Sequence, residues 1–437
     1  MSNKIGFWSV FELVTISQIG SGLMLPANLS PYGSLTLVGW GISSLGALIL
    51  ALVFCQLCQW FPRTGGPHAY VREAFGCSAS FFTGWTYWVI SWVSTIAIVI
   101  SVVGYLTPLI GVHSGAFNLS IEILIVLMVT ALNLKGVEAA ARARFFMLIL
   151  KMVPLLLVPL GALFYFDKAN FTPINLTAPE NTSLLNNVIL LTLWGFIGFE
   201  SATAAAGEVH EPNKTIPRAL ILGTIFVAML YFISSLGIMG IIPGHELMHS
   251  NAPYTDTASR VFGGSWHLLV SLIAAIICIG AVNAWTLASG QIALGIAQDG
   301  LLPKFFGRQN KHGAPVYALL ISCVGTIPLL VMAKNASLVD KIHTIIDFSV
   351  TAFMFVYIVS CLAYLKLLWQ QPKHGALWKW GAGFLSLGFS GWVICETPAK
   401  ILLCASLFVV SGLPIYLLRI RKRRAGPNID TVLPTAA

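Results

Sequence analysis

Charge is scarce in this chain. Only 9% of its 437 residues are Asp, Glu, Lys or Arg, against roughly a quarter in a soluble domain. With 57% of residues hydrophobic and a mean hydropathy of +0.83, a compact soluble core could not absorb the apolar surface, whereas lipid can. Long polar segments are also missing, so no loop can house a receptor or catalytic domain. There is no phosphate-binding loop, no nucleophile elbow and no pair of carboxylates at workable spacing, which argues against an enzyme. Rings of like residues and repeated short pore segments, the marks of a channel, are absent too. The eight cysteines are scattered through apolar runs. Cys55 and Cys58 form a CxxC without a second pair, so neither a disulfide framework nor a metal or other cofactor is expected.

What remains is a series of apolar runs, each long enough to cross a bilayer. They read as twelve spans, at about 7–29, 34–60, 80–108, 119–135, 143–166, 186–206, 217–242, 265–297, 315–333, 343–368, 378–395 and 398–418. The expectation is an all-α integral membrane protein with residues 1–437 as one domain. No cleavable signal peptide is expected, since the first run continues as a full span with only Lys4 before it. The net charge of +9 does not point to nucleic acid, because the basic residues are sorted by loop. Outer loops hold Lys168, Arg260, Lys334, Lys341 and Lys400, and Lys151 falls within a span. The remaining 19 of the 25 Lys and Arg lie on the other side. That bias places both termini in the cytoplasm and makes the terminal RIRKRR run an anchor at an anionic leaflet.

Two of the runs are interrupted. The first contains SQIGSGLMLP, Ser17 to Pro26, and the sixth contains LTLWGFIGFESATAAAG, with Gly195, Gly198 and Glu200. An unpaired backbone group in hydrocarbon costs several kcal/mol, so a break at that depth needs a purpose. The interrupted runs are five apart, and interruptions at matching places in two five-helix halves point to an inverted-repeat transporter. Free N–H groups near Ser21 and Gly22 suit a carboxylate, and unwound carbonyls around Trp194 to Ile197 suit an ammonium. A site with both fits the main-chain part of an amino acid. The alternative is a pair of glycine-rich packing faces.

Further motifs extend the pattern: LPANL after Gly20-Ser21-Gly22, then FPRTGGPHAYVREAFG, LWGFIGFESA, EVHEPNKTIPRAL and AWTLASGQIALGIAQDGLLPKFFGRQNKHGAP. On these the chain resembles the amino acid–polyamine–organocation transporter superfamily over nearly its whole length. It is most similar to the basic amino acid/polyamine antiporter branch, which exchanges arginine for agmatine or putrescine for ornithine. The resemblance implies about 12 transmembrane helices with helices 1 and 6 broken, arranged as two inverted five-helix repeats plus two C-terminal helices. The first repeat and the start of the second would span about 7–206, and the second repeat about 186–368. Residues 378–418 would form the two extra helices and 419–437 a cytoplasmic tail. It also implies a secondary transporter of the cytoplasmic (inner) membrane, surrounded by lipid. Its ligand would be a small amino acid or amine, with no cofactor, metal or nucleic acid; oligomeric state is open, a homodimer included.

Residue by residue, the resemblance puts the substrate carboxylate on the backbone of Ser21 and Gly22. It puts the α-amine on carbonyls at Gln18, Trp194 and Ile197. Trp285 matches a tryptophan that stacks on the cationic side chain, worth about 2 kcal/mol when desolvated. Ser349 matches a hydroxyl facing a guanidinium, and Trp194 a gating aromatic. Glu200 matches a carboxylate that titrates near the outer gate, which Tyr87 and Tyr357 close with it. Three departures bear on substrate and coupling. Thr95 stands where the arginine exchangers have an asparagine. The first break is one residue shorter between Gly22 and Pro26. Lys151 matches instead a lysine of proton-coupled relatives, which keeps a proton-coupled symporter of broader or neutral specificity as the alternative; an anchor near Arg142 and Arg144 is the other reading. Glu12, Glu122 and Asp347 read as end-of-span carboxylates.

Overall fold

The structure is a computed structural model that describes residues 6–62, 65–111, 114–135, 152, 154–171, 184–204, 206, 209–332, 337–370 and 376–424. Helix α1 (Phe7–Ile19) ends at Gly20. The chain resumes as a 3-10 turn (Ser21–Met24), α2 (Leu25–Leu29) and a second 3-10 turn (Ser30–Tyr32), bent by 47° from α1. Then come α3 (Leu35–Trp60), α4 (Pro67–Ile110), α5 (Gly115–Leu134), α6 (Pro154–Tyr165) and α7 (Leu184–Trp194). After the turns of 195–200 follow α8 (Ser201–Ala204), α9 (Pro212–Ile241), α10 (Gly244–Leu247), α11 (Pro253–Phe262) and α12 (Trp266–Gln298). The chain closes with α13 (Val316–Met332), α14 (Leu338–Gln370), α15 (Leu377–Glu396), α16 (Ala399–Val410) and α17 (Leu413–Arg424). Among the described residues there is no strand, only an isolated bridge between Gln309 and Pro315.

Among the described residues seven helical stretches are long and apolar enough to cross a membrane: α3, α4, α5, α9, α12, α14 and Ala399–Arg419. The bent first run makes an eighth. Helices α6, α7 and α13 are apolar but shorter. Each expected run therefore overlaps a helix, and the interruptions fall at Gly20 and at 195–200. The protein is a multi-pass membrane protein.

Hydropathy cannot say which helix faces lipid, because both environments are apolar; small and hydroxylated residues mark the interior instead. Helix α4 is the central post, buried along most of its length from Ser80 to Tyr105, with α12 and α14 packed on it. Helix α9 packs on α1 and α3. Helices α5 and α16 lie outside and expose Leu124, Leu127, Met128 and Leu132, and Leu403, Leu407 and Val410. Interior hydroxyls donate to the carbonyl one turn back, as Thr15 does to Phe11, Ser101 to Ala97 and Thr192 to Val188. This lets them sit in a dry core without an unmet donor.

One expected loop residue is displaced. Helix α14 begins at Leu338, before the apolar run proper, so Lys341 is not in an outer loop but inside the helix. Its buried side chain lies 3.8 Å from Glu122 Oε1 on α5. Glu122 is wholly buried and Glu12 is buried on α1. Asp347 instead pairs with His343 one turn away on α14, and both stay partly exposed.

Candidate functional site

The two interruptions meet. Ser17 Oγ lies 2.9 Å from Gly198 O and 3.0 Å from Ser201 Oγ, which ties the end of α1 to the second break. Gly198 has φ +108, and a Cβ there would press on Ser17 O and the Trp285 ring. Only glycine suits both demands.

A helix that stops in the membrane leaves carbonyls to be satisfied by something else. Here neighbouring helices supply the donors. Trp285 Nε1 of α12 donates to Ser17 O at 3.0 Å. Tyr231 Oη of α9 lies 2.9 Å from Gln18 O and 3.2 Å from Ile19 O. Tyr105 Oη of α4 donates to Leu23 O at 2.9 Å. Tyr231 is itself held by Trp40, which stacks on it at 4.9 Å and donates to Ser235 Oγ. A Cβ on Gly22 would fall on the Tyr231 hydroxyl, so the glycine gives that cap its room. Nothing in the sequence singled out Tyr231 or Tyr105. A tyrosine in an apolar run reads as filler until the uncapped carbonyl beside it is seen.

Gln18, Trp194, Ile197 and Trp285 line one small cavity, together with Ser17, Gly20 and Ile98. Its free space is on the scale of one water molecule. Gln18 O accepts from Tyr231 and Trp194 O from the Ile197 N–H. Ser21 and Gly22 open the 3-10 turn, whose first N–H groups have no helical partner of their own.

Other expected residues stand elsewhere. Thr95, one turn from Ile98 on α4, lines a separate cavity. Ser349 is buried on α14, lines neither cavity, and its hydroxyl has no hydrogen-bond partner among the described residues. Lys151 lies outside the described residues.

Glu200, Tyr87 and Tyr357 are brought together. The Tyr357 hydroxyl donates to Glu200 Oε2 at 2.7 Å, the Gly198 N–H donates to the same oxygen at 3.2 Å, and Tyr87 acts on the same carboxylate. Phe54, Phe199 and Phe353 surround Tyr357 with ring centroids 5.4–6.2 Å away. Glu200 follows the break on the side leading to 209–211, and Phe54 is near the end of α3 that leads to 61–66.

Two motifs meet on that same side. His68 and Arg72 of GGPHAYVRE both face Asp299 of AQDG, with Nε2–Oδ2 at 3.3 Å and Nη1–Oδ1 at 2.9 Å. Burial pushes the Asp299 carboxyl up, but the His68 hydrogen bond and the His68 and Arg72 charges outweigh it and hold the group below the usual carboxylate range.

Comparison with known proteins identifies the family. The sequence model of a family described as amino acid permease matches residues 5–418. A cadaverine/lysine antiporter of Escherichia coli K12 is 30% identical over 377 residues, 84% of each chain. A putrescine transporter, PotE, of Haemophilus influenzae is 29% identical over 373 residues, 84% of this chain and 85% of that one. The PotE putrescine transporter of Escherichia coli K12 is 26% identical over 422 residues, 95% and 96%.

Proposed function

The chain belongs to the amino acid permease family, and from that membership we propose that it exchanges basic amino acids or their amines across the inner membrane by alternating access. It is a transporter of this family and not an enzyme, as its relatives are. Twelve spans with two inverted five-helix repeats, and cytoplasmic termini, belong to the same proposal.

One observation carries the reading: the ends of two broken helices and one tryptophan close on a single cavity. The substrate amine binds the Gln18, Trp194 and Ile197 carbonyls at the breaks. Its carboxylate binds the first N–H groups of the turn at Ser21 and Gly22. The Trp285 indole, pinned by Ser17 O, offers its face to the cationic side chain. Trp194 bounds the cavity toward the outer side. Glu200 with Tyr87 and Tyr357 forms the inner gate, where proton uptake on the carboxylate would weaken the charge-assisted hydrogen bond from Tyr357. The printed names of the relatives, a cadaverine/lysine antiporter and putrescine transporters, support a cationic substrate and exchange.

The test is uptake of radiolabelled lysine into proteoliposomes, empty or preloaded with lysine, ornithine, arginine or linear diamines. Uptake that depends on a cationic internal substrate, and that unlabelled cationic amino acids compete away, is the expected result. Equal uptake into empty vesicles would overturn exchange, and competition by neutral amino acids alone would overturn the substrate class.

A further inference from the structure

The second cavity lies between α4, α5, α12 and α13 and has free space of about one water molecule. These four helices all pack on one another, and none of them is a broken helix. The cavity wall is polar but uncharged, with no carboxylate and no basic group. One lining group is a donor with nothing to donate to: Trp92 Nε1 is buried and has no hydrogen-bond partner among the described residues. The indole lies against α13, where a Cβ on Gly325 would fall on its ring. A buried N–H left without an acceptor is costly, and such groups are met by protein or by ordered water.

Acceptors stand around it. Three threonines that line the cavity have committed their protons to their own helices. Thr95 donates to Trp92 O at 2.6 Å, Thr286 to Val282 O at 2.7 Å and Thr326 to Ser322 O at 2.8 Å. Towards a ligand these oxygens offer only lone pairs. Ser289 and Ser322 bond each other at 3.1 Å, which leaves one proton of the pair uncommitted. Donors and acceptors are therefore mixed, and whatever binds must be able to do both. An ammonium cannot accept from the indole, an anion cannot donate to the threonine oxygens, and either would bring an unbalanced charge into a neutral wall. Water does both, is neutral and matches the space.

The geometry points to a binding site for one ordered water, which accepts from Trp92 Nε1 and donates to the threonine oxygens of the neighbouring helices. Helices in lipid are not driven together by the hydrophobic effect, so packing and interhelical hydrogen bonds hold them, and a bridging water serves nearly as well as a direct bond. The water joins α4 to α12 and α13. The first broken helix, in contrast, is fastened by direct bonds from Trp285, Tyr231 and Tyr105.

Radical footprinting of the protein in proteoliposomes tests this. X-ray radiolysis of a bound water oxidises the side chains beside it, even when a scavenger confined to the bulk solvent removes the radicals formed there. Two readily oxidised residues line the cavity, Trp92 and Cys323. Each has a buried control of its own type that lines neither cavity, Trp40 and Cys361. With the scavenger present, mass spectrometry should find Cys323 oxidised several-fold faster than Cys361, and Trp92 than Trp40. Rates equal to those of the controls overturn the proposal. Ser289→Val puts methyl groups into the space from α12, away from both probes, and should bring both rates down to the control values. Unchanged rates in that variant would mean that the radicals arise elsewhere, which also overturns the proposal. The comparison in the unaltered protein holds whether or not the variant folds.

Discussion

Single residues decide what the cavity can read. Trp285 does two things: its indole N–H caps Ser17 O and its ring bounds the cavity. Trp285→Leu should weaken lysine or ornithine competition by about 2 kcal/mol, while Trp285→Phe, which keeps a ring and loses the cap, should fall between. Equal losses for cationic and neutral competitors would show that the residue only shapes the space. Glu200 is wholly buried and shares one oxygen between the Tyr357 hydroxyl and the Gly198 N–H. Glu200→Gln fixes the neutral form. Exchange rates measured from pH 5 to 8 should lose their pH dependence in this variant, and a profile identical to that of the unaltered protein would remove Glu200 from coupling. Tyr231→Phe leaves the Gln18 and Ile19 carbonyls without their donor in a dry site. A melting-temperature loss equivalent to about 1–3 kcal/mol is expected, and no shift would mean another donor takes over. For the same reason a larger side chain at Gly22 would act first by displacing Tyr231. It would therefore test the cap before it tests carboxylate binding.

At the scale of elements, the broken helices were legible in the sequence and their fastenings were not. Polar residues and glycines inside an apolar run are a local contradiction that composition exposes. The Tyr231, Tyr105 and Trp285 caps answer a need that exists only once α4, α9 and α12 stand beside the break. Lys341 was misplaced because its helix starts in sequence that is too polar to read as span, and its partner Glu122 is more than two hundred positions away. The link between α4 and α12 shows a middle case: GGPHAYVRE and AQDG were both conspicuous, yet only the fold shows that they touch through Asp299. Its carboxyl is held below the ordinary range. A depressed carboxyl stabilises above its unfolded value, near 3.9, and loses that contribution as the pH falls through the folded value. The link therefore stays closed throughout the pH range of transport assays. Asp299→Asn should remove the charge term at every pH from 5 to 8, and cysteine cross-linking between the start of α4 and the end of α12 should then report a looser junction. Cross-linking that matches the unaltered protein would show that packing alone holds it.

For the whole molecule, the cavity between the broken helices has space for little more than a water, so admitting a substrate requires relative movement of the elements that frame it. The broken helices divide the work: their fixed carbonyls are anchored to α9 and α12, and the Glu200 trio hangs on the segment after the second break. Glu122 and Lys341 are buried together, but α5 is synthesised long before α14. Until the later helix arrives, a carboxylate waits in the membrane without its ammonium, and an unmatched buried charge is far more costly than a matched pair. Glu122→Gln or Lys341→Met alone should therefore lower the amount of full-length protein in the membrane, and the combination Glu122→Leu with Lys341→Met should restore it. Additive losses in the double variant would rule this out. The pair then acts as a test of completeness: a nascent chain halted before α14 carries its own mark for disposal.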